Sequence, residues 1–142
     1  MATALCRTSA AAVLVTAGAM LAACGSGPEA APANPTAPCA SLPAADPAAV
    51  LPTGFPVLAD QVLYGPASQG ATRIVFGRVP GTDVLAVRDD LVARLTAAGF
   101  RIESTDQEAV EAEASFTGPV EGTIKVQRLC ADQLEVRYKL DG

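Results

Sequence analysis

The stretch EAEASFTGPVEGTIKVQRLCADQLEVRYKL, from Glu111 to Leu140, changes chemical character at almost every residue. Ala112, Ala114 and Phe116 alternate with Glu111, Glu113, Ser115 and Thr117. Ile124 and Val126 alternate with Lys125 and Gln127, and Leu134, Val136, Tyr138 and Leu140 with Glu135, Arg137 and Lys139. Side chains on a strand point to opposite faces in turn, so this pattern predicts antiparallel strands with one buried and one solvated face. Gly118-Pro119-Val120-Glu121-Gly122 and Ala131-Asp132 supply the turns between them. A sheet with one apolar face needs a cover, and the sequence just upstream offers one.

Thr82 or Asp83 can cap a helix whose apolar residues Val84, Val87, Leu91, Val92, Leu95 and Ala98 recur at three- and four-residue spacing. Arg88, Asp89 and Arg94 are expected mostly off that stripe, and Gly99 supplies a left-handed stop. Beyond it Phe100 and Ile102 begin the alternation. Before the helix, Val57 to Tyr64 reads as a strand ended by the turn-rich Gly65 to Gly70, and Thr72 to Val79 as a second strand closed by Pro80-Gly81. The expected fold is α+β and two-layered, one helix on an antiparallel sheet of about five to six strands, in the order ββα followed by three or four strands.

Two residues depart from the pattern. Arg128 shares the parity of Ile124 and Val126; a bulge or strand end releasing it to water accounts for it, and a groove-facing ligand contact is the functional reading. Cys130 has the same parity and needs cover.

Catalytic sets are sparse. The chain has no histidine, which removes Ser-His-Asp and Cys-His nucleophile activation and histidine zinc sites. GxSxG, P-loop and GxGxxG motifs are missing, so no cofactor is expected. Glu103, Asp106, Glu108, Glu111 and Glu113 form an acidic group; Glu111 and Glu113 are candidates for a cation site or for carboxylate chemistry, and both alternate onto the solvated face. Fifteen acidic against ten basic side chains, a formal charge of −5, argue against a nucleic-acid partner, because phosphate binding draws on Lys and Arg.

At the other end of the chain, Thr8 to Ala23 is uncharged and rich in Ala, Val, Leu and Met. It is shorter than the roughly 20 apolar residues of a bilayer span and suits a secretion signal, although Arg7 is the sole basic side chain before it. Leu21-Ala22-Ala23-Cys24, followed by Gly25-Ser26-Gly27, resembles the lipobox of bacterial lipoproteins. That resemblance implies a signal peptide over 1–23, cleavage before Cys24, and a diacylglyceryl group on the Cys24 thiol. Two or more acyl chains hold a protein stably at a membrane. With its abundant Ala and sparse Lys, the chain resembles the small actinobacterial cell-envelope lipoproteins of unknown function. The resemblance rests on the signal, Cys24 and the tether, and over the remainder it is architectural.

Residues 24–56 carry Pro28, Pro32, Pro35, Pro38, Pro43, Pro47, Pro52 and Pro56, a density that favours an extended, semi-rigid tether leading to a globular domain over 57–142. With Cys6 in the signal and Cys24 lipidated, Cys39 and Cys130 remain. In an oxidising compartment they are expected to form a disulfide; the alternative is a reactive thiol at Cys130.

The function expected from these features is that of an exported lipoprotein on the outer face of the cytoplasmic membrane, a non-catalytic binding or scaffold module for an envelope protein or small ligand. A binder of an apolar or lipid ligand between helix and sheet is the alternative. A carboxylate-based hydrolase comes third.

Overall fold

The computed structural model describes residues 36–142, so the expected signal peptide, Cys24 and the first part of the expected tether lie outside the described residues. The elements in chain order are β1 (Val62–Gln69), β2 (Thr72–Pro80), α1 (Val84–Ala97), β3 (Arg101–Gln107), β4 (Glu111–Thr117), β5 (Glu121–Cys130) and β6 (Gln133–Asp141). They form an α+β fold, one helix packed against a six-stranded antiparallel sheet. Chain order and spatial order differ. The sheet runs β1-β2-β6-β5-β4-β3, so the last strand is inserted between the first hairpin and the β3–β5 meander.

The alternation fixes the faces. Ala112, Ala114, Phe116, Ile124, Val126, Leu134, Val136, Tyr138 and Leu140 are all buried, together with Val75 and Val79 from β2. Helix α1 starts at Asp83, whose carboxylate accepts the backbone N–H groups of Leu85 and Ala86 at 3.0 Å each. It ends before Gly99, which adopts φ +89°, a conformation that an L side chain disfavours. Leu91 and Leu95 are fully buried against β3, β4 and β5.

Arg88 corrects the expected helix face. It lies four residues after Val84 and three before Leu91, on the buried side, with its side chain 10% exposed. Its guanidinium is satisfied there by the backbone carbonyls of Asp106 and Glu113, at 3.1 and 3.4 Å, and by Asp89 at 2.7 Å. A buried guanidinium is tolerated because its donors have partners, and it ties the helix to both strands of the β3–β4 hairpin.

The boundary of the packed body also differs from position 57. Six strands spaced about 4.8 Å apart span about 24 Å, whereas a helix with its side chains is about 10 Å wide. One helix therefore cannot cover the whole apolar face. Ala49, Phe55 and Leu58 cover more of it as part of the core. The Phe55 ring sits 5.4 Å from Phe100, 5.7 Å from Phe116 and 5.8 Å from Tyr138. Asp46 N–H donates to the Leu63 carbonyl at 3.0 Å, and Arg78 Nε to the Pro43 carbonyl at 2.8 Å. The proline-rich segment from residue 43 onward is thus docked on the domain.

Strand β1 differs as well. It begins at Val62 and continues through Gly65-Pro66 across a bulge between Tyr64 and Ala67. The hairpin turns instead at Gly70-Ala71. Proline is accommodated because β1 is an edge strand, where one side of the backbone has no neighbour to receive its missing N–H.

Candidate functional site

A disulfide joins Cys39 to Cys130, with Cα atoms 5.3 Å apart and 91 residues of separation. Cys130 is buried, and its cover comes from the Cys39 segment, where Ala131 N–H also donates to the Ala37 carbonyl at 2.9 Å. Asp132 completes the one group of potential metal-ligating side chains found among the described residues. Its two sulfurs are bonded to each other, so they offer no thiolate.

Arg128 sits at a register shift between Arg128 and Cys130, where β5 bulges against β6. Its guanidinium donates to the Thr82 carbonyl at 2.5 Å and to the Ala131 carbonyl at 3.3 Å. It lines a groove of about 670 Å³ with Asp83 and Leu85 at the start of α1 and with Glu108 and Val110 at the β3–β4 turn. The charged groups at the α1 end of this groove have structural partners: Asp83 caps the helix, and Arg128 binds carbonyls.

The acidic residues are dispersed. Glu103 accepts from Thr117 at 2.8 Å and pairs with Arg101, while Glu111 pairs with Lys125 Nζ at 2.7 Å. Glu111 and Glu113 both lie on the sheet face opposite the helix, and on that open face Glu113 borders a second groove.

This groove, of about 230 Å³, is formed by Glu113, Thr123, Lys125, Arg137 and Lys139. Strand register assembles it. Lys125 stands directly opposite Arg137 on β6 and opposite Glu113 on β4, and Thr123 stands opposite Lys139. The same rows continue onto β2, where Phe76 faces Arg137 and Ile74 faces Lys139. Phe76 stacks on Tyr64 with centroids 5.8 Å apart and planes inclined at 22°. The open face therefore passes from an apolar, aromatic side on β1 and β2, through a cationic centre, to an acidic side on β4 and β3.

Two carboxylates flank the cations along β6 but are otherwise engaged. Glu135 accepts from the Tyr64 hydroxyl in a short contact and from Gln127 at 3.0 Å, and Asp141 accepts from Thr72 at 2.8 Å. Partial burial, followed by Glu135 as hydrogen-bond partner and neighbouring charge, pushes the Tyr64 phenol up from its ordinary range. The phenol thereby stays neutral and keeps the proton it donates to Glu135. Arg137 forms no ion pair among the described residues, and its buried Nε has no hydrogen-bond partner. Sequence reasoning missed this centre. Alternation puts Lys125, Arg137 and Lys139 on the solvated face, but not beside one another.

The helix–sheet interface is filled by Leu91, Leu95, Phe116, Ile124 and Val126, each at most 1% exposed. Fold and surface together define an α+β two-layer domain with a packed core, a polar open sheet face and a disulfide. No family model, curated protein or solved structure matches the chain.

Proposed function

We propose that the protein is an exported lipoprotein, anchored through acyl chains on Cys24 to the outer face of the cytoplasmic membrane, and that it acts there as a non-catalytic binding or scaffold module. The observation that carries the exported part is the Cys39–Cys130 disulfide, since such bonds form and persist in oxidising compartments. The lipobox-like Leu21-Ala22-Ala23-Cys24 supports the anchor. Among the described residues no helix is long and apolar enough to cross a membrane; in this reading the attachment is the lipid on Cys24.

The open sheet face is the binding surface in this reading. A two-layer domain needs only one sheet face for its core, and here the other face carries both a groove and an aromatic pair. An apolar ligand between helix and sheet is the weaker reading, because side chains fill that space.

Site-specific photo-crosslinking in the native envelope tests the assignment. A photoreactive residue replacing Ser115, on the open face, is expected to give discrete adducts, whereas one replacing Ala93, on the outer side of α1, gives none. Adducts from both positions alike, or from neither, would contradict it.

A further inference from the structure

We infer that the groove on the open sheet face is a binding site for a phosphate-type oxyanion, held by Arg137 and Lys139 with the Thr123 hydroxyl and bordered by Lys125. The inference rests on the reading of the open face as the binding surface and adds the chemistry of what it binds.

The first argument is charge placement. The chain carries a formal charge of −5, yet Lys125 and Arg137 stand directly opposite each other and Lys139 follows Arg137 on the same face of β6. Like charges directly opposite on a sheet are destabilising. The local carboxylates do not relieve them all: Glu111 pairs with Lys125, while Glu135 and Asp141 are taken by neutral donors. Among the described residues Arg137 and Lys139 are left as unmatched cations.

The second argument is hydrogen bonding. Arg137 Nε is buried with no partner, although buried polar atoms are nearly always satisfied. A guanidinium offers its donors as a planar fork that matches an oxyanion, and an ammonium adds a point charge. Thr123, opposite Lys139, supplies a neutral donor beside both.

Glu113 sets a limit. It closes the β4 side of the groove and disfavours negative charge there, so the anion is confined to the β6 side. The Phe76 ring, opposite Arg137 on β2, offers an apolar surface next to it.

The test is a titration of the full chain bearing Cys24→Ala, so that acyl chains do not contribute, followed by the NMR signal of Arg137 Nε–H. Inorganic phosphate is compared with chloride at matched ionic strength. Saturable shifts of that signal with phosphate are expected, weakened about tenfold or more in Lys139→Gln, as loss of a charge-assisted contact requires, and unchanged in Arg101→Gln at the exposed edge. Lys139 is exposed, so its replacement leaves the fold intact even if Arg137→Gln does not.

A second arm uses vesicles of phosphatidylglycerol or phosphatidylcholine. Binding to the former alone, lost in Lys139→Gln, identifies a lipid headgroup as the source; a response to inorganic phosphate alone identifies a soluble one. No response in either arm beyond that to chloride or phosphatidylcholine, or equal weakening by Arg101→Gln, overturns the inference. Such a failure leaves crosslinking from Ser115 unaffected and so is distinguishable from failure of the binding-surface reading.

Discussion

The Gln61 side chain occupies the space that a side chain at Gly77 would need. Gly77 lies on the core face of β2, and a Cβ built there overlaps the Gln61 amide. The amide is held by three contacts: its Oε1 accepts the Leu58 N–H at 3.1 Å and the Tyr138 hydroxyl at 2.9 Å, and its Nε2 lies 2.7 Å from the same hydroxyl. A missing side chain on β2 thus lets the N-terminal segment reach the most buried phenol of the core. Gly77→Ala is expected to expel the amide and destabilise the domain by about 1–3 kcal/mol, the range of overpacked cores. Chemical denaturation of the variant measures it, and an unchanged midpoint contradicts the packing described.

Phe55 distinguishes a docked segment from a free tether. Because its ring touches Phe100, Phe116 and Tyr138, Phe55→Ala is expected to cost about 3–5 kcal/mol. Were residues 43–58 merely a spacer, the substitution would be silent. Thermal melting of the two proteins decides between these outcomes.

The disulfide contributes through the unfolded chain. Closing a loop over 91 residues of separation restricts the denatured ensemble by about 4–5 kcal/mol in the chain-entropy picture. Replacing Cys39 and Cys130 together by Ala is expected to lower stability by up to that amount. A double variant as stable as the parent under non-reducing conditions contradicts a native bridge.

Both tyrosines report on alkaline stability. The chain has two Tyr and no Trp, so phenolate absorbance belongs to Tyr64 and Tyr138 alone. Burial pushes the Tyr138 phenol well above its ordinary range, with the Gln61 hydrogen bond opposing, and Tyr64 is raised mainly by partial burial. A phenol raised in the fold contributes stability that is fully present below its unfolded pKa of about 10 and is lost as pH rises beyond it, at up to ~1.4 kcal/mol per pH unit for Tyr138. Spectrophotometric titration is expected to show Tyr138 ionising together with unfolding. A phenolate step for both tyrosines near pH 10 in folded protein contradicts their environments.

The alternation from Ala112 to Leu140 made the two faces of β4 to β6 legible, because a period of two needs no knowledge of neighbours. The Asp83 cap and the Gly99 stop were legible for the same reason: each depends on local chemistry. Arg88 is not legible from its charge, although its spacing from Val84 and Leu91 puts it on the buried stripe. The docking of residues 43–58 is not legible in the sequence, because proline density describes chain stiffness and says nothing of a sheet too wide for one helix. The cationic groove could not be read at all. It exists only once β6 is inserted between β2 and β5 and the register brings Lys125 opposite Arg137, and neither follows from local pattern.

The proposed function turns on the state of Cys24, which one measurement reads directly. Intact-mass and fragment analysis of the N-terminal peptide, isolated from native membranes and compared with Cys24→Ala, reads the state of Cys24. A mature chain beginning at Cys24 with at least two acyl chains, and loss of membrane association in Cys24→Ala, is the result expected of a lipid-anchored binding module. A chain bearing an unmodified Cys24, or a Cys24→Ala protein that stays with the membrane as the parent does, contradicts it.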